Sequence, residues 1–99
     1  MKIKQGARVA GLKPEILLAL QIIEPITESF GQELVITSGV DGKHSKNSRH
    51  PIGYAVDIRT RDMTDPQRCT FAIKEVLGGE YVALFEHDHI HIQFNGTQL

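Results

Sequence analysis

From His89 onward, the stretch Asp88-His89-Ile90-His91-Ile92-Gln93-Phe94 alternates polar and apolar residues. A side-chain period of two belongs to an extended strand, in which successive residues face opposite sides. His89 and His91 therefore share one face, and Ile90, Ile92 and Phe94 share the other, so the strand separates chemistry from core. Tyr81 to Phe85 reads as its partner around a short Glu86-His87-Asp88 turn, which makes the C-terminal part of the chain a hairpin.

The remaining elements follow from the spacing of apolar residues and from glycine and proline. From Leu12 to Phe30, apolar side chains at Leu12, Ile16, Leu20 and Ile23, widened by Leu17, Ile26 and Phe30, have helical spacing. Pro14 suits the first turn, Pro25 predicts a kink or a break into two helices, and Gly31 is a stop. Leu34-Val35-Ile36-Thr37 reads as a short buried strand leading into Ser38-Gly39, and Val40 to Pro51 as a polar loop. Tyr54 to Ile58 is expected to be half-buried, with Tyr54, Val56 and Ile58 inward and Ala55 and Asp57 on the other side, where Asp57 faces a cleft. Asp65 is a plausible N-cap and Pro66 a first helical residue, with Phe71, Ile73, Val76 and Leu77 supplying apolar contacts before Gly78-Gly79. The order helix, strand, loop, strand, helix, hairpin predicts an α+β fold in which helices pack on a small, largely antiparallel sheet.

A chain of 99 residues, 40% hydrophobic and 23% charged, fits one domain covering residues 1–99. A domain this small removes only about 60 to 70% of its unfolded surface on folding, so a bound metal would add materially to its stability. The net charge of -1 gives no general pull toward nucleic acid or anionic membranes, although a local basic site remains compatible with it. No apolar run approaches the roughly 20 residues that span a bilayer. Met1-Lys2-Ile3-Lys4-Gln5-Gly6 is followed by a broken apolar stretch rather than a secretory h-region, so synthesis in the cytoplasm is expected. Cys69 is the only cysteine, which excludes an intramolecular disulfide and a Cys-x-x-Cys motif; it reads as a partly buried thiol.

Chemistry concentrates in two segments. His50 and Asp57 stand in one and Asp88-His89-Ile90-His91 in the other, and all five histidines of the chain fall within these two regions. Two imidazoles and one carboxylate form the protein half of many catalytic zinc centres, where water takes the fourth position. His87 reads as solvated and His44 as a loop residue.

Ser48-x-His50-x-x-Gly53-x-Ala55-x-Asp57, together with Asp88-His89-x-His91, resembles the zinc DD-peptidase and Hedgehog-like superfamily. The likeness is greatest to its small carboxypeptidase-like and phage endolysin peptidases, and it extends to the Leu34–Gly39 strand and turn. The resemblance implies that His50, Asp57 and His91 hold one zinc ion, that Asp88 is the general base, and that His89 stabilises the oxyanion or orients water. Glu86-x-x-His89 has the same spacing as Asp88-x-x-His91; Glu86 reads instead as a turn carboxylate or a partner that orients a ligand histidine. Gly53 and Ala55 have a steric reading, and for Gly53 an ordinary strand-entry role stands beside it.

Between Lys43 and Arg61 the chain carries Lys43, Lys46, Arg49, Arg59 and Arg61 against Asp57 alone, which favours an anionic substrate if the segment rims a cleft. Relatives in this superfamily often place a substrate-contacting arginine just after the Ser-Gly turn. Here Val40-Asp41-Gly42-Lys43 follows, so Arg49, with Ser48 beside it, is the first candidate for that contact. The resemblance thus implies a monomeric zinc peptidase acting on peptidoglycan stem peptides or cross-bridges, of a phage lytic type that acts on the wall after release or travels with a virion. No nucleic-acid or membrane partner is expected. A non-catalytic zinc-stabilised binding or virion structural domain is the alternative, and a metal nuclease is disfavoured by the net charge and the lack of aromatic interleaving.

Overall fold

The computed structural model describes residues 1–41 and 49–96. Its elements are β1 (Lys2–Ile3), α1 (Pro14–Ser29), β2 (Val35–Ser38), β3 (Ala55–Arg59), α2 (Pro66–Leu77), β4 (Tyr81–Glu86) and β5 (His89–Phe94). The strands form one open sheet in the order β1-β2-β3-β5-β4. β1 runs parallel to β2 and every other pair is antiparallel, so the fold is α+β with a mixed sheet.

Both helices pack on one face of that sheet. Ile16, Leu20 and Ile23 of α1 and Cys69 and Ile73 of α2 meet Ile36, Val56, Ile58, Ala83, Ile90 and Ile92 in a single buried cluster. The apolar half of the alternation in β5 is thereby consumed by the core, and His89 and His91 are left on the opposite face.

Pro25 does not divide the first helix, which runs unbroken from Pro14 to Ser29. The carbonyl deprived of a partner belongs to Gln21, four residues earlier. Gln21 and Pro25 are both exposed, so water can satisfy that carbonyl, while buried Ile23 and Thr27 hold the opposite side of the helix to the core. Leu17 is exposed rather than part of the buried stripe. In α2, Asp65 caps as expected, accepting from the Arg68 N–H at 3.1 Å. The buried face runs through Cys69 and Ile73, however, and Phe71 is 63% exposed and Val76 also exposed. Two residues advance a helix by about 200°, which turns Phe71 away from Cys69.

β1 was not foreseen. It is tied to β2 by the Lys2 N–H donating to the Leu34 carbonyl at 2.8 Å and the Lys4 N–H donating to the Ile36 carbonyl at 2.9 Å. β3 lies in the middle of the sheet and is covered on both sides: Ala55 is as fully buried as Val56 and Ile58, and Asp57 is buried with them at 8% exposure. Cys69 is fully rather than partly buried, and this burial pushes its thiol pKa up to about 11.

Candidate metal centre

Pairing of the strands brings the first two groups together. Asp57 of β3 stands directly opposite His91 of β5. Such residues have Cβ atoms about 5 Å apart, close enough for a carboxylate and an imidazole to touch. Asp57 Oδ1 is 3.0 Å from His91 Nδ1.

The third group, His50, comes from the segment ahead of β3 and is held by backbone. Its Nδ1 lies 2.8 Å from the Gly39 carbonyl, and its own carbonyl accepts from the Gly53 N–H at 3.0 Å. Both glycines are needed where they stand. A Cβ on Gly39 would come within 2.1 Å of the Arg8 carbonyl oxygen, and one on Gly53 within 2.2 Å of the Gly11 carbonyl oxygen. Gly53 also has φ +87°, in the left-handed region, which decides for its steric reading. Asp41 ties the turn down, its Oδ1 accepting from the Gly39 N–H at 2.7 Å and the Arg8 N–H at 2.8 Å.

His50 Nε2, His91 Nδ1 and Asp57 Oδ1 form a triangle with sides of 3.2, 3.0 and 3.2 Å. Ligands at about 2.0–2.1 Å from a tetrahedral centre lie about 3.3–3.4 Å apart, so the triangle needs almost no adjustment to receive such an ion. Proton placement makes the same case. A carbonyl only accepts, so neutral His50 carries its proton on Nδ1 and turns a lone pair on Nε2 toward the triangle. On His91, Nε2 faces Gln93 Oε1 at 3.0 Å, and Gln93 is oriented by its Nε2 donating to Asn95 Oδ1 at 2.6 Å. The proton of neutral His91 therefore sits on Nε2, and Nδ1 presents a lone pair.

Three acceptors then face one another in a site where His50 is 2% and Asp57 8% exposed. A proton or a cation must lie among them. Burial opposes the Asp57 charge, but hydrogen bonds with His50 and His91 outweigh it and hold the carboxyl far below its ordinary pKa. The hydrogen bond to Asp57 raises the pKa of His91 against the opposing effect of burial.

His89 stands outside the triangle. Among the described residues, the group of ligand-type side chains whose donor atoms converge within 4.8 Å is His50, Asp57 and His91. His89 Nε2 is 3.8 Å from Asp57 Oδ2 and 3.3 Å from Glu86 Oε1, and its Nδ1 is 2.9 Å from Asp88 Oδ1. Burial lowers the His89 pKa, but these carboxylates outweigh burial and raise it overall. Glu86 thus partners His89 rather than any member of the triangle. Asp88 sits in the two-residue hairpin turn after His87, whose φ of 55° is left-handed, and its side chain is 79% exposed.

Asp88 and His89 line a cleft of about 380 Å³ together with Lys4, Thr37, Arg59 and Arg61. Arg49 is half-buried beside His50, its carbonyl accepting from the Tyr54 N–H at 3.1 Å. Lys43, His44, Lys46 and Ser48 lie outside the described residues. Sequence reasoning missed Gln93, Asp41, Lys4 and Thr37. Only Gln93 left a signal, since it follows His91 by two residues and so shares its face.

A family model described as Peptidase M15 matches residues 1–93. No curated protein and no solved structure matches the chain.

Proposed function

The chain belongs to the peptidase M15 family, and on that premise we propose that it is a zinc-dependent peptidoglycan peptidase that cuts stem peptides or cross-bridges containing D-amino acids. The observation that carries this reading is the triangle of three lone-pair donors, His50 Nε2, Asp57 Oδ1 and His91 Nδ1, closed inside a buried site. Those three residues hold one zinc ion per chain. When bound, the ion supplies Lewis acidity, which makes a water nucleophilic near pH 7 and polarises the scissile carbonyl.

The chain's own residues do the rest. Gly39 and Gln93 fix the tautomers of His50 and His91, so that each ring offers its lone pair inward. Asp88 is ionised at neutral pH as an ordinary carboxylate is, and its hydrogen bond to His89 lowers its pKa further. It accepts the proton of the attacking water and returns it to the leaving amine. His89, held through Nδ1 by Asp88, donates from Nε2 to the oxygen on which negative charge develops, giving up its longer 3.3 Å contact with Glu86. A non-catalytic zinc domain would leave the Asp88–His89 pair and its cleft without a task.

The proposed setting is a phage-type lytic enzyme acting as a monomer on the wall after release from the cytoplasm, or carried on a virion. Its support is the likeness of the Ser48–Asp57 and Asp88–His91 motifs to such enzymes. Mass spectrometry of purified peptidoglycan digested by zinc-loaded protein tests the reading. Stem-peptide fragments should appear, and Asp88→Ala should slow their release by about 100- to 10,000-fold with zinc still bound. Equal release by Asp88→Ala would remove Asp88 from its role, and no release by the wild type would sink the peptidase reading.

A further inference from the structure

A row of basic side chains runs beside the metal triangle. Arg59 is two residues beyond Asp57 in β3, so the two point to the same side of the sheet about 7 Å apart along the strand. Arg59 stands opposite His89 in β5, the neighbour of His91 on that face. Lys4, leaving β1 with its N–H on the Ile36 carbonyl, comes alongside Thr37 of β2. Lys4, Arg59 and Arg61 converge on the cleft that Asp88 and His89 also line.

The cleft is strongly unbalanced in charge. Three permanent cations face one lining carboxylate, and that carboxylate, Asp88, is engaged by His89 at 2.9 Å. Among the described residues, no carboxylate lies within ion-pairing distance of Lys4, Arg59 or Arg61. A chain of net charge -1 has thus gathered three unpaired cations at the mouth of its candidate active site. The turn after Ser38-Gly39 offers no cation among its described residues, since Val40 is apolar and Asp41 is occupied in holding Gly39 and Arg8.

We propose that Lys4, Arg59 and Arg61 form a carboxylate subsite, which seats a free substrate carboxylate one or two residues from the bond that is cut. Two residues of extended peptide span about 7 Å, the same as the offset between Asp57 and Arg59 along β3. An arginine fork grips a carboxylate through two parallel hydrogen bonds, and the lysine adds a point charge. The inference rests on the peptidase reading and adds its specificity: the preferred substrate ends, or carries a side-chain carboxylate, next to the scissile bond.

N-acetyl-D-alanine and its carboxamide are suitable probes, because they differ only in the carboxylate. Each is titrated by NMR into zinc-loaded wild type and into Arg59→Gln/Arg61→Gln, with circular dichroism confirming that the variant is folded. The acid should bind the wild type at least about tenfold more tightly than the amide, the scale of a charged hydrogen bond, and shift the backbone amides of Lys4, Arg59 and Arg61. The double variant should lose that preference. Equal binding of both probes to the wild type, or a preference that survives in the variant, overturns the subsite. Hydrolysis of N-acetyl-D-alanyl-D-alanine, followed in parallel, separates the two readings. Preference without hydrolysis leaves the subsite standing and sinks the peptidase; hydrolysis without preference does the reverse.

Discussion

At His91 the two ring nitrogens have different tasks. Nε2 is fixed by Gln93, and Nδ1 meets Asp57 and His50. In metal-free protein a proton on His91 bridges to Asp57, so this pair has a definite pH dependence. Asp57 has a pKa lowered from 3.8, so its stabilising contribution is present above that value and is lost as pH falls toward the folded value. His91 has a pKa raised from 6.5, so its contribution is present below that value and is lost as pH rises through the folded value. Chelator-treated protein should therefore have its highest melting temperature at about pH 5 to 6. Zinc should abolish the decline on the alkaline side, since the ion then replaces the proton. A calorimetric series across pH, with and without zinc, checks this; a chelated protein that becomes steadily more stable above pH 7 would contradict it. At this scale His50, Asp57 and His91 were legible in the sequence because their residue types are uncommon in such a cluster. Gln93 and the Gly39 carbonyl were not, because a glutamine and a backbone oxygen acquire meaning only from the ring nitrogen they face.

Among the elements, β5 was the most legible, because its alternation admits one assignment of faces. α2 was legible at its start, through Asp65 and Pro66, but not in its buried face, since Phe71 and Val76 are as apolar as Ile73 and differ only in angle around the helix. β1 is two residues long and too short to show a period, so only its pairing with β2 reveals it. The segment from His50 to Gly53 depends on close backbone approach. Gly53 supplies a carbonyl to the Lys13 N–H at 3.0 Å and lies against Gly11, which docks the loop onto the entry to α1. Gly53→Ala should destabilise the fold by about 2 kcal/mol or more, combining left-handed strain with the clash on the Gly11 carbonyl. It should also weaken zinc binding through the displaced His50. Urea denaturation reads the first effect as a lowered midpoint, and an unchanged midpoint would mean that the approach to Gly11 can be relieved.

The molecule as a whole is a sheet with a division of labour between its faces. Helices cover one side, and the other holds the metal triangle and the basic cleft. This arrangement places candidate ligands from β3, from β5 and from the segment ahead of β3 on one small area, so a bound metal would join elements that are far apart in the chain. The sequence conveyed the two-helix α+β order and which two segments carry the motifs. It did not convey that Lys4 joins Arg59 and Arg61 in lining the cleft, because membership of a cleft depends on strand order. Net charge was equally silent, since it averages a basic cleft with an acidic remainder. The proposed peptidase chemistry requires that His50, Asp57 and His91 together hold one zinc ion. Calorimetric titration of zinc into chelator-treated wild type and His50→Ala tests it most directly. The wild type should bind one ion per chain and melt at a higher temperature when saturated, and His50→Ala should lose that site. Absence of stoichiometric binding in the wild type, or undiminished binding by the variant, would contradict it.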